Sequence, residues 1–350
     1  MKTLPSIAAL ALLMQGAVAS PVLAQAAAAQ AAGRTAPSPL APSEIVAAAP
    51  AADWRPIAVA DLLVMTLAPD ARGASRRVVI QLMPPPFLQG WVGNIRKLAA
   101  AHWWDGLSVN RVQDNYVAQW GDADGDDKAK ARALPAGLAV VPEGEYTTSN
   151  ERMWRAWTAR LMSEMTAIAA TGGKVGFVSS PNTDSRGHRT DAYASTKRFW
   201  IGWPLAGDAA QSWPVHCYGM VGAGRDLPPN TGSGAELYTV IGHAPRHLDR
   251  NIALVGRVIE GIEHLSSLPR GTEALGFYKT AAERTPIVSI RLGGEVADLP
   301  SYEYLSTESG SFAKYADARA NRRDAFFIRP AGGADICNIP VPVRRVKAAG

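Results

Sequence analysis

Arg76-Arg77-Val78-Val79-Ile80-Gln81-Leu82 reads as a β-strand: β-branched residues crowd it, and the turn-like Pro69-Asp70-Ala71-Arg72-Gly73 precedes it. Upstream of that turn, Asp61-Leu62-Leu63-Val64-Met65-Thr66-Leu67 reads as a second strand. Downstream, Val92, Ile95 and Leu98 recur at helical spacing with Ala99 beside Leu98, which predicts a short helix over roughly 89–101. Leu107-Ser108-Val109-Asn110-Arg111-Val112 and Tyr116-Val117-Ala118-Gln119-Trp120 add two more strand-like runs. Residues 123–216 differ in character. They begin acidic, with Asp122, Asp124, Asp126 and Asp127, and end in the aromatic Phe199-Trp200-Ile201-Gly202-Trp203-Pro204. Between lies one amphipathic helix, about 150–170, with Met153, Trp154, Trp157, Leu161, Met162 and Met165 on a broad face. From Cys217 short strands and glycines return, with a strand over Ala253–Val258 and a helical segment near 259–267. A strand from Pro286 to Leu292 and a helix near 311–325 follow. Short strands with few helices predict a mainly-β barrel.

The 350 residues allow one large domain or two modest ones. Hydrophobic residues make up 47% and charged residues 19%, enough apolar material for a core. The one strongly apolar run, Ile7–Met14 after Lys2, is too short to span a membrane, and the small residues ending Val22-Leu23-Ala24 complete a signal-peptide pattern. The expectation is export to a periplasm after cleavage of residues 1–24, with no membrane span in the mature chain. Residues 25–53 hold most of an Ala/Pro-rich stretch and are predicted to be a flexible tether, with order starting near Trp54. A net charge of +5 without a Lys/Arg block points to no nucleic-acid partner.

Two ordered blocks resemble the cyclophilin family of peptidyl-prolyl isomerases. The first is Val78-Val79-Ile80-Gln81-Leu82, Asn94-Ile95-Arg96-Lys97-Leu98-Ala99, Trp104-Asp105-Gly106, Asn110-Arg111-Val112 and Gln119-Trp120-Gly121-Asp122. The second is Gly234-Ala235-Glu236-Leu237-Tyr238, His247-Leu248-Asp249 and Val255-Gly256-Arg257-Val258-Ile259-Glu260-Gly261. Together they cover about a third of the chain. The resemblance implies a closed eight-stranded barrel capped by helices, with a proline-binding groove on its outer face. On this chain it would carry a long insertion, about 123–216, and a C-terminal extension, about 271–350.

The implied chemistry needs no cofactor and no metal. An X-Pro bond rotates over a barrier near 20 kcal/mol because the amide is conjugated. A dry pocket for the proline ring and a permanent cation that favours the twisted amide suffice. By resemblance Arg111 is that cation, and Gln119 hydrogen-bonds a substrate carbonyl. Tyr238 falls at the pocket floor, and Tyr116, Val117, Leu248 and His247 fall on its walls. Gly222 falls in the segment whose backbone contacts substrate. The implied partners are proline-containing polypeptides, met by a monomer.

The departures from the family pattern are Asn110 for a histidine, Trp120 for a glycine, Glu236 for a glutamine, Ile252 for a pocket histidine, and a Met220-Val221-Gly222-Ala223-Gly224 segment that lacks the family's asparagine. An indole at Trp120 is expected to narrow the groove. Other chemistries find little support. Asp122, Asp124 and Asp126 alternate like the start of a calcium loop, but Asp127 and Ala133 occupy its sixth and twelfth positions. Pro245 separates His243 from His247, and no G-x-S-x-G, G-x-G-x-x-G or P-loop occurs. An exported isomerase and a non-catalytic proline-binding or scaffold module remain. The two cysteines, Cys217 and Cys337, pair in an oxidising compartment or stay as two separate buried thiols.

Overall fold

The computed structural model describes residues 39–170 and 191–346. The predicted signal peptide and the first part of the predicted tether, residues 25–38, lie outside them. The rest of that tether is ordered. Helix α1, Pro42–Ala47, starts with proline at its first turn, where the missing N–H would have had no partner. It packs on a later helix, with Pro42 and Ala49 buried. Order therefore begins before Trp54. Alanines and prolines break a free chain, and nothing local in them announces the surface that covers this segment. Removing residues up to Asp53 is now expected to cost about 2–3 kcal/mol, the burial of a few small apolar side chains. A melting curve of the chain begun at Trp54 checks this.

Strand β1, Trp54–Ile57, precedes the barrel strands β2, Leu62–Leu67, and β3, Arg76–Leu82. Helix α2, Gln89–Ala100, follows, then β4, Ser108–Val112, and β5, Val117–Gly121. The insertion contributes β6, Thr148–Ser149, helix α3, Asn150–Ala170, and strands β7, Thr196–Trp200, β8, Trp203–Gly207, and β9, Gln211–Pro214. Next come β10, Met220–Ala223, β11, Leu237–Val240, β12, Leu254–Glu260, and the short helix α4, Glu263–Ser266. The chain ends with β13, Thr285–Leu292, β14, Tyr302–Leu305, helix α5, Gly310–Ala320, and β15, Val343–Arg345.

Eight strands close an antiparallel barrel in the order β10-β11-β5-β4-β13-β2-β3-β12, and β12 pairs back onto β10. Closure leaves no unpaired edge. The strand β13 pairs with both β2 and β4, so it belongs to the barrel and not to the expected C-terminal extension. Without it, two strands would keep open edges. The extension begins after Leu292. Its β14 joins β1 and β15 in a separate three-stranded sheet.

Inward-facing side chains of alternate positions, among them Leu63, Met65, Val78, Ile80, Val109, Val112, Ala118 and Trp120, fill the barrel. Helix α2 buries Trp91, Ile95 and Leu98 against that core. The Asn94 side chain ties α2 to the insertion through the backbone of Ala139, donating to its carbonyl at 2.9 Å and accepting from its N–H at 2.7 Å. The insertion folds into the sheet β6-β9-β8-β7 and shares the main core. Buried Arg257 of β12 stitches it to the barrel. Its Nε donates to Gln81 Oε1 at 2.9 Å, its Nη1 donates to the Gly202 carbonyl at 2.6 Å, and its guanidinium stacks on Trp203.

Helix α3 spans the residues predicted for it and lies against the small strands β6 and β9. Met153 is buried in the main core and Trp157 packs against it, whereas Trp154 is 48% and Met162 59% exposed. Helix α5 stops at Ala320, short of the predicted end, where Asn321 leaves helical geometry. The chain around Cys337 is a 3₁₀ turn, Ile336–Asn338, capped by Asp335, whose Oδ1 accepts from the Cys337 N–H at 2.8 Å. Cys217 and Cys337 are joined as a disulfide, with Cα atoms 5.1 Å apart.

Candidate active site

One row of residues crosses four neighbouring strands on the outer face of the barrel. Arg111 of β4 stands opposite Gln119 of β5, Gln119 opposite Tyr238 of β11, and Tyr238 opposite Gly222 of β10. The row depends on a β-bulge. Val109 pairs with Trp120 and faces the core, and strict alternation would point Arg111 inward as well. The register shifts between Val109 and Arg111, so the pleat resets and Arg111 shares the outward face of Gln119.

Each nitrogen of the Arg111 fork makes one hydrogen bond. Its Nε donates to the Leu275 carbonyl at 2.7 Å, its Nη1 to Gln119 Oε1 at 3.1 Å, and its Nη2 to Gln113 Oε1. The guanidinium lies between the rings of Tyr116 and Phe277, 5.7 and 5.3 Å from their centroids. Burial pulls its pKa down, with the nearby Tyr116 opposing. Gln113, Leu275 and Phe277 were not read from the sequence. Phe277 reaches Arg111 through an isolated β-bridge from a loop far along the chain, a pairing that no local pattern announces.

Beside the row, Val117, Tyr238 and Val240 form a small apolar cluster separate from the main core, with Tyr116, Leu248 and Ile252 packed against it. Tyr116, Val117, Tyr238 and Leu248 thus come together, and Ile252, noted as a departure, joins them. His247 is exposed on the neighbouring 3₁₀ turn Arg246–Leu248. Gly222 is buried under Tyr238: a Cβ there would meet the phenol Cζ and Oη at 2.3 Å. Trp120 does not narrow the groove. It alternates with Val117 and Gln119, so its indole points into the barrel and is fully buried.

Glu236 closes the polar side of the row. Its Oε1 accepts from the Asp122 N–H at 2.6 Å, and the Gln119 and Asn110 side chains also hydrogen-bond its carboxyl. Burial pushes its pKa up to about 7 in spite of these donors. A carboxyl raised on folding favours the fold while protonated. That contribution is complete below about 4.5 and is lost as pH rises through about 7. Glu236→Gln is therefore expected to melt like wild type near pH 4 and to be more stable at pH 8, by roughly 3 kcal/mol. Melting both proteins across that range checks the sign. A variant less stable than wild type at pH 8 would contradict it.

A family model described as cyclophilin type peptidyl-prolyl cis-trans isomerase/CLD matches residues 90–291. Among solved structures, the chain is similar to the cyclophilin AquaCyp293 from Hirschia baltica, at 19% identity and a TM-score of 0.55, over 84% of this chain and 95% of that one. A Cryptosporidium parvum cyclophilin type peptidyl-prolyl cis-trans isomerase, solved in the presence of the dipeptide Ala-Pro, matches at 10% identity and a TM-score of 0.35, over 65% of this chain and 98% of that one. No curated protein matches the sequence.

Proposed function

The chain belongs to the cyclophilin-type peptidyl-prolyl cis-trans isomerases, and from that premise we propose that it isomerises X-Pro bonds in exported proteins, with Arg111 favouring the twisted amide. The observation that carries this reading is the cross-strand row, which sets a permanent cation and an amide beside an isolated apolar cluster. The proline ring packs on Tyr116, Val117, Tyr238 and Leu248, where water is excluded. Gln119, held through its Oε1 by Arg111, turns its N–H₂ toward Glu236 and the groove and donates to a substrate carbonyl. Arg111 exchanges a bond to Gln113 or Gln119 for one to the prolyl nitrogen or a carbonyl oxygen as the amide twists. The donor then meets charge that exists only in the transition state.

The exported setting is supported by the signal-peptide pattern of residues 1–24 and by the Cys217–Cys337 bridge, which suits an oxidising compartment. Among the described residues no helix is long and apolar enough to cross a membrane. A net charge of +5 without a Lys/Arg block supports polypeptide and not nucleic-acid partners.

One observation favours a second reading, a proline-binding module without turnover. Every arm of the Arg111 fork already has an acceptor within the chain, and the pocket floor is tightly covered, with Tyr238 4% exposed. A protease-coupled assay on a short proline peptide separates the two. Turnover supports the isomerase. Peptide binding without turnover establishes the module.

A further inference from the structure

Behind the pocket floor runs a chain of buried polar groups that the isomerisation does not use. The Tyr238 Oη lies 3.0 Å from His216 Nε2, and His216 Nδ1 lies 2.9 Å from Asp249 Oδ1. That same oxygen accepts the His216 backbone N–H at 3.0 Å. Asp249 Oδ2 accepts from Arg246 Nε at 2.7 Å, and the other two Arg246 nitrogens reach the Asp191 carboxylate at 3.0 and 3.1 Å. The side chains of His216, Asp249, Arg246 and Asp191 are 1%, 4%, 2% and 2% exposed. An aspartate paired with an arginine only accepts, so His216 Nδ1 carries the ring proton. In the neutral imidazole Nε2 is then the acceptor, and the Tyr238 hydroxyl donates to it.

We propose that His216 is a positioning residue that holds the proline pocket open. This rests on the groove assigned above. The phenol of Tyr238 lies flat across Gly222 because its hydroxyl finds an acceptor there, inside the wall. A buried hydroxyl without an acceptor carries the full desolvation penalty. With His216 unable to accept, the phenol recovers a hydrogen bond by rotating out to water. Water lies on the groove side, so the rotated ring fills the space the proline needs. Asp249, Arg246 and Asp191 keep the imidazole in the accepting tautomer and orientation.

The geometry predicts an unusual pattern of rescue. His216→Leu removes the acceptor and is expected to raise KM for a proline peptide about tenfold, with kcat changed little. In the Tyr238→Phe background the same substitution is expected to change KM by no more than about twofold, because no hydroxyl is left to satisfy. His216→Gln, whose amide oxygen reaches the Nε2 position, should keep KM within about twofold of wild type, whereas His216→Asn, which reaches only the Nδ1 position, should behave like His216→Leu. The Gln and Asn pair decides the matter if His216→Leu does not fold, as judged by circular dichroism. Equal KM effects in both backgrounds, no KM effect, or a loss confined to kcat would each overturn the proposal. Calorimetric Kd for the same peptide is measured alongside. A wild type that binds without turnover removes the catalytic reading and leaves Kd to report the relay. A wild type that neither binds nor turns over the peptide overturns both.

Discussion

Arg111→Ala lowers kcat/KM for a proline peptide by about two to three orders of magnitude and leaves the barrel folded. The size follows from a guanidinium that favours the twisted amide over the planar ground state by roughly 3–4 kcal/mol, at 1.36 kcal/mol per tenfold. The site gives this charge unusual definition. Two rings sandwich the guanidinium, and three acceptors fix its plane. Little reorganisation then remains to be done when the amide twists. Arg111→Lys should fail almost as badly, because a point charge reproduces neither the planar fork nor the stacking. Gln119→Ala should cost less, about fivefold, since one neutral hydrogen bond is worth about 1 kcal/mol. Stability should fall only modestly for Arg111→Ala, because the side chain it truncates is only partly buried and its hydrogen bonds face the groove. The measurement compares wild type and variant on one peptide, with circular dichroism on both. A variant with wild-type kcat/KM would remove Arg111 from the chemistry, and an inactive wild type would hand the site to the binding-module reading.

The row that carries this prediction was half legible in the sequence. Val78–Leu82 and the 3.6-residue period over α2 are local signals, and local signals set strands and helices before any tertiary contact exists, whereas Arg111 and Gln119 were singled out by the family resemblance. The bulge at Asn110 was not legible. Nothing in Val109-Asn110-Arg111 says which residue is extra, yet the bulge decides whether the arginine faces core or solvent. The same blindness to pleat phase led to the expectation that Trp120 crowds the groove, although counting from Val117 assigns it to the interior. Long-range pairings escaped in turn. The strand β13 looked like part of an appendage until its two partners were in view, and Phe277 and His216 lie too far from Arg111 and Tyr238 in sequence for spacing to link them. Helix α3 was legible as an amphipathic stretch, but periodicity alone did not say that Met153 and Trp157 would meet the core while Trp154 stays largely exposed.

Replacing both Cys217 and Cys337 with serine is expected to destabilise the protein by about 4–5 kcal/mol, because the bridge closes a loop of 120 residues and the chain-entropy relation grows with loop length. For a chain of this size that corresponds to a fall in Tm on the order of 6–8 °C. The bridge is not the tail's only attachment. Ile336 and Ile339 are buried in the main core, Tyr315 Oη donates to the Pro340 carbonyl at 2.7 Å, and Arg319 Nε donates to the Asn338 carbonyl at 2.8 Å. These interactions stay in the folded serine variant, so the native tail should remain docked and the loss should arise in the unfolded chain, which gains the freedom the bridge had removed. The location adds a consequence for the pocket. Cys217 follows His216 directly, the Cys337 Sγ lies 4.0 Å from the His216 carbonyl, and an Asp335 oxygen lies 3.7 Å from Arg246 Nη1. A tail that stays docked keeps these groups in place, so the serine variant should lose stability while holding KM near the wild-type value at temperatures well below its own Tm. Thiol titration of the native, non-reduced protein, a melting curve and KM for one proline peptide together test this. Two titratable thiols in wild type would refute the bridge, and a serine variant as stable as wild type would show that loop closure contributes nothing here.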